Sequence, residues 1–123
     1  MESFKFENLE IWHLANEYAD EIHKVAKQFP KDERYALVDQ LNRSSSSIAD
    51  NIAEGSGAAS VKDYSNFLQI SVKSTYESVS QLHRCFTRGY ITQDQKSYFY
   101  NRAKIIVSKV IAFKKTINRR GKF

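Results

Sequence analysis

An antiparallel, up-down-up-down four-helix bundle, all-α, is the fold this chain predicts, and three observations carry the prediction. Breakers are scarce, with one proline and four glycines in 123 residues, which disfavours a β-sandwich. Apolar residues recur at three- and four-residue steps in four separate segments, the period of an amphipathic helix. The loops between those segments are short, which makes neighbouring helices antiparallel. One domain over residues 1–123 is the natural count for this length.

The first helix is expected over about residues 8–28. Leu9, Trp12, Ala15, Ala19, Ile22 and Ala26 form its apolar stripe, and Phe29-Pro30 ends it because the residue before proline leaves the α region. Asp32 is the expected N-cap of a second helix over about 33–54, stopped by Gly55-Ser56-Gly57. Ser60 to Asp63 has the form of a capping box and opens a third helix over about 60–88. Its core stripe is Tyr64, Leu68, Ser71, Thr75, Val79, Leu82 and Phe86, and Gly89 ends it. Thr92 to Gln95 is a second capping box, opening a fourth helix over about 93–118. Phe99, Ala103, Ile106, Val110, Phe113 and Ile117 give it the most regular stripe in the chain. The tails, Met1 to Glu7 and Arg119 to Phe123, are expected to be loosely ordered.

The fourth helix carries more apolar surface than one core needs. Tyr98, Ile105 and Ala112 line one flank; Tyr100, Val107 and Ile111 line the other. Such flanks imply either self-association or a broad intramolecular seam.

The second helix is unusual in a different way. On a helical wheel Leu37, Leu41, Ser45, Ile48 and Ile52 share one stripe, while Gln40, Ser44, Ser47, Asn51 and Glu54 share a second. Four consecutive serines are poor helix formers. A catalytic serine needs a base within reach and an oxyanion hole; His13, His23 and His83 lie elsewhere and no Gly-x-Ser-x-Gly elbow occurs. The stripe therefore reads as a close-packed polar seam. In a hairpin turning near Gly57, Ser44 and Ser47 would face Phe67–Ser71, and Gln40 would face Ser74 and Thr75. Gln40, Arg43, Ser47, Asn51, Glu54, Ser74 and Glu77, with Gln81 beside them, are the expected seam residues, because buried amides and charges must be paired.

Glu10-x-x-His13 and Asp20-x-x-His23 have di-iron spacing, but both sit on one helix about 15 Å apart by rise per residue, too far to share a centre. No metal or cofactor is expected. The single cysteine, Cys85, excludes an internal disulfide framework and fits a cytoplasmic setting. Neither a signal peptide nor a membrane span is expected.

Charge is divided unevenly along the chain. Residues 84–123 hold eleven Lys and Arg against Asp94 alone, a balance of +10, while residues 1–83 balance at −5. A basic end on an acidic body suggests a polyanion partner or an oligomer contact. Lys114, Lys115, Arg119 and Arg120 are the expected phosphate contacts, with Arg84, Arg88 and Lys109 in support; Lys122 extends the run and Phe123 is available to stack. Aromatic interleaving is otherwise thin, so binding would be phosphate-driven and weakly sequence-specific.

Leu9, Trp12, Phe29-Pro30, Glu33, Tyr35, Leu37, Gln40-Leu41, Arg43 and Ser47-Ile48 carry a family resemblance, followed by Asn51-Ile-Ala-Glu-Gly55, Ser60, Phe67-Leu68, Ser74, Glu77, Gln81-Leu82 and Gly89-Tyr90. On these residues the chain resembles the bacterial four-helix-bundle proteins encoded in intervening sequences of 23S rRNA genes. It departs at Ala58, where that family often has a basic residue after the second loop glycine. The resemblance implies a ring-like homo-oligomer, a pentamer, as in the related accessory protein of diversity-generating retroelements, which binds nucleic acid. The resulting expectation is a non-enzymatic homo-oligomer that binds RNA or DNA. The alternative is a structural or adaptor protein acting through protein–protein contacts.

Overall fold

Four long helices make up most of the computed structural model, which describes residues 3–121. They are α1 (Glu10–Ala26), α2 (Asp39–Ser56), α3 (Val61–Thr87) and α4 (Gln93–Arg120). Lys122 and Phe123 lie outside the described residues. α1 packs on α2 and α4, and α3 packs on α2 and α4, so the helices stand in a square. Hydrogen bonds between α2 and α3 descend in register, Ser44 to Gln81 and Ile48 to Ser71. Ion pairs between α1 and α4 do the same, Glu17 to Arg102 and Glu10 to Lys109. Both pairs of helices are therefore antiparallel, as an up-down-up-down bundle requires.

The stripes are buried much as their periods predict. Leu37, Leu41, Ser45, Ile48 and Ile52 all face the core, as do Phe99, Ala103, Ile106, Val110 and Ile117. On α1 the burial is centred slightly differently: Leu9 and Trp12 are half-buried, while Ile11 and Tyr18 lie inside. The fourth-helix capping box forms in both directions. Thr92 Oγ1 accepts from the Gln95 backbone N–H at 3.1 Å, and Gln95 Oε1 accepts from the Thr92 N–H at 2.8 Å. The third helix gains only half of its box, Ser60 Oγ accepting from the Asp63 N–H at 3.1 Å.

Three boundaries differ from expectation. Asp32 does not cap α2. A 3₁₀ turn (Lys31–Glu33) and a π-type turn (Arg34–Val38) precede Asp39, and the Glu33 carboxylate there accepts from Arg88 and Tyr90 of the α3–α4 loop region. Gly55 does not stop α2 either, since the helix continues through Ser56. A Cβ at Gly55 would lie 2.9 Å from Phe67 Cβ and 2.9 Å from a Tyr64 ring carbon, so the missing side chain is what lets α3 approach. The tails are also more structured than expected. Lys5–Asn8 forms a 3₁₀ turn, with the Phe6 ring 4.9 Å from that of Trp12, and Arg119 and Arg120 are helical.

Candidate nucleic-acid interface and the polar seam

The serine stripe of α2 meets α3 along a seam of hydroxyls. Ser47 and Ser74 hydroxyls are hydrogen-bonded at 2.9 Å, and Asn51 Nδ2 donates back to Ser47 O and Oγ at 2.8 and 2.9 Å. Ser71 Oγ donates across the seam to the Ile48 carbonyl at 2.9 Å. Ser44 Oγ donates to Gln81 Oε1 at 2.6 Å, with the Leu41 carbonyl as a second acceptor at 3.2 Å. Short side chains let the helices close up, and each hydroxyl then finds a partner, as buried polar groups must. Among the described residues no buried side-chain polar atom lacks one.

The register differs from that expected for a turn at Gly57. Ser47 meets Ser74 rather than Phe67–Ser71, and Ser44 meets Gln81. The offset follows from the helical Gly55 and Ser56, which move the centre of the hairpin toward Ser60. The seam is also narrower than expected. Gln40, Arg43, Glu54 and Glu77 are exposed, and only Arg43 among them has a hydrogen-bonding partner, Asp39 on its own helix at 3.5 Å. The i, i+4 pairing leaves Arg43 at the surface.

Sequence reasoning missed Tyr18, whose hydroxyl bonds the Ser78 hydroxyl at 2.7 Å in the core. Burial pushes the Tyr18 hydroxyl up to about 12, against a smaller downward pull from Ser78. The signal was its position, seven residues from both Ile11 and Val25 on the inward face of α1. Cys85 is buried, and burial pushes its thiol up to about 11, so little thiolate exists near neutral pH.

The basic residues divide by the face of α4 on which they lie. Arg102 Nη2 donates to Glu17 at 3.1 Å and Lys109 Nζ to Glu10 at 3.0 Å, both toward α1. Lys114 Nζ turns toward α3 and donates to the Gln69 amide oxygen at 2.9 Å. Arg88 Nη1 donates to Glu33 at 2.8 Å, and the Tyr90 hydroxyl donates to the same carboxylate oxygen at 2.6 Å. The Tyr90 and Arg88 bonds hold the Glu33 carboxyl below its usual range. Lys104, Lys115, Arg119 and Arg120 are exposed, with no side-chain partner among the described residues.

Arg84 and Arg88 do not join the cluster at the end of α4. They sit beside the start of that helix, and Arg119 and Arg120 lie about 40 Å away along its axis at 1.5 Å per residue. Of the expected contacts Lys115, Arg119 and Arg120 remain, and Lys104, which the sequence reading did not include, extends them into an outward ridge. Lys109, Lys114 and Arg88 are occupied in holding helices or loops together.

Among the described residues no group of three or more His, Cys, Asp or Glu could hold a metal. Glu10 of the first Glu-x-x-His pair is taken by Lys109, and His13 Nε2 lies 2.6 Å from the Glu7 carbonyl. No helix of the described residues is long and apolar enough to cross a membrane.

Comparison with known proteins agrees with this architecture. Residues 7–112 match the family described as 23S rRNA-intervening sequence protein. Among solved structures, the chain is similar to a crystal structure of a protein of unknown function from the S23 ribosomal protein family of Bacteroides thetaiotaomicron VPI-5482. The two share 27% sequence identity with a TM-score of 0.79, over 85% of this chain and 98% of that one. No curated protein matches the chain.

Proposed function

The chain belongs to the 23S rRNA-intervening sequence protein family, and from that premise we propose a non-enzymatic, cytoplasmic homo-oligomer that binds RNA or DNA phosphates through the outward ridge of α4. The observation that carries the reading is the division of the cations. The acidic first part of the chain neutralises Arg88, Arg102 and Lys109, whereas Lys104, Lys115, Arg119 and Arg120 remain exposed without a carboxylate among the described residues. Unpaired guanidinium and ammonium groups along one face of a long helix suit a row of phosphates, and such contacts carry no sequence information. Arg119 and Arg120 also close α4 where cations suit the helix dipole, which accounts for their placement but not for Lys104 or Lys115 further up the same face.

Self-association draws on a separate observation. Tyr76, Tyr98, Ile105 and Ile111 are exposed large hydrophobic side chains on the outer faces of α3 and α4, and apolar surface of this kind favours burial against a partner. A pentameric ring, as the resemblance implies, would repeat the ridge around its circumference. If the apolar faces serve a different protein, the chain is an adaptor and the ridge is a solvated surface.

The test is retention of a mixed RNA and DNA probe at 50 and 200 mM salt, with oligomeric mass measured in parallel. Retention at low salt that falls steeply at high salt is expected. Absent binding at 50 mM, or binding indifferent to salt, refutes the nucleic-acid reading, and a monomer refutes the oligomer.

A further inference from the structure

At the end of the bundle away from Arg119, a cleft of about 720 Å³ lies over the polar seam between α2 and α3. We propose that this cleft binds the phosphate of a nucleotide-sized ligand. The inference does not rest on the ridge of α4.

The chemistry of the lining points to an oxyanion. Gln40, Arg43, Ser44 and Ser47 come from α2, and Glu77, Ser80, Gln81 and Arg84 come from α3. Seven of these eight side chains carry donors, those of Ser44 and Ser47 being engaged within the seam, and Glu77 alone is acidic. Two guanidinium groups line the cleft from opposite helices, and a guanidinium can meet a phosphate bidentately. They differ in how far they are committed elsewhere. Arg84 has no side-chain partner among the described residues, and Arg43, with its side chain 79% exposed, holds Asp39 only at 3.5 Å.

Gln81 supplies an independent observation. It is 7% exposed and fixed in the wall of the cleft. Its contact with Ser44 Oγ is 2.6 Å, a length suited to O–H···O and short for N–H···O, so Oε1 is the atom engaged. The Nε2 donor has no partner among the described residues, yet no polar atom there is both sealed from solvent and unpaired. Nε2 therefore opens to the cleft. A preset amide donor in a cleft also lined by the unpaired Arg84 and the loosely paired Arg43 is a seat for a phosphate oxygen. Glu77 at the rim can accept from the amino group of a base or from a sugar hydroxyl. The volume falls within the range of about 300–1,000 Å³ typical of small-molecule sites. A free nucleotide and the 5′-phosphorylated end of a strand share this chemistry.

Isothermal titration of the full chain with 5′-AMP, adenosine and a 5′-phosphorylated trinucleotide tests the proposal. Binding of AMP or the phosphorylated trinucleotide is expected, with adenosine weaker by about tenfold or more, the worth of a charge-assisted hydrogen bond. Whichever phosphorylated probe binds tighter identifies the source. Arg84→Gln should weaken the preferred probe by a similar factor, and because Arg84 is exposed its helix content should be unchanged. Lys115→Ala combined with Arg119→Ala should leave this titration unaltered, which separates failure of the cleft from failure of the ridge. Equal binding of AMP and adenosine, no binding of any probe, or undiminished binding by Arg84→Gln overturns the proposal.

Discussion

The α2–α3 seam and the outer ridge of α4 are both polar, and they differ in whether that polarity is answered within the chain. Along the seam Ser44, Ser47, Asn51, Ser71 and Ser74 each engage a partner, two of these contacts at 2.6 and 2.8 Å. Along the ridge Lys104, Lys115 and Arg119 engage none among the described residues. The α1-facing flank of the same helix lies between these extremes, because Arg102 and Lys109 meet Glu17 and Glu10. Internally satisfied groups fix register and close approach. Unanswered groups remain for a ligand. A surface cation is therefore better judged by its partner than by its place in a basic run.

Seam variants should thus change stability and leave binding per folded molecule intact, while ridge variants should do the opposite. The largest stability effect is expected at Gly55. Gly55→Val places atoms against Phe67 Cβ, already 2.9 Å from a hypothetical Cβ, and should cost about 3 kcal/mol by overpacking, read as a lower denaturant midpoint. If Gly55→Val is neutral, close approach does not set the seam.

The next effect is alkaline. Burial raises the Tyr18 hydroxyl from 10.0 to about 12, so the folded state holds this proton more tightly than the unfolded state. The stabilisation is complete below pH 10 and is lost as pH rises toward 12, at about 1.4 kcal/mol per pH unit. Tyr64, raised to about 12 by burial, acts in the same direction. Unfolding monitored between pH 9 and 12 should show the fall, and Tyr18→Phe should flatten it. An unchanged slope in Tyr18→Phe would place the alkaline weakness elsewhere.

Ser74→Ala removes one hydroxyl from a connected set and should cost about 1 kcal/mol, measured by urea denaturation. The smallest change is expected for Lys109→Ala, which breaks an exposed pair with Glu10 and should shift stability by less than about 1 kcal/mol. A larger loss in Lys109→Ala than in Ser74→Ala would invert the comparison between surface and seam.

Much of the fold was legible because helical periodicity is local. The α4 stripe from Phe99 to Ile117 and the Thr92–Gln95 box need only neighbours three or four residues away, and both are present. Hairpin register was not legible. Gly55 has the form of a stop in sequence, and only the positions of Tyr64 and Phe67 show that it is a contact point. The contacts made just before α2 were hidden likewise, since Glu33 answers to Arg88 and Tyr90, 55 and 57 residues away. The sign of the basic half could be read from composition, but its division could not. The carboxylates that neutralise Arg102 and Lys109 stand 85 and 99 residues off in the chain.

Phosphate contact by the unpaired cations of the α4 ridge is the property on which the proposed function stands. Its most direct test is the salt dependence of probe binding by the full chain and by a variant carrying Lys115→Ala, Arg119→Ala and Arg120→Ala. Each lost phosphate contact should reduce the slope of log affinity against log salt by about one, giving a drop of about three with thermal stability unchanged. A variant that folds normally and keeps the parent slope would contradict the account.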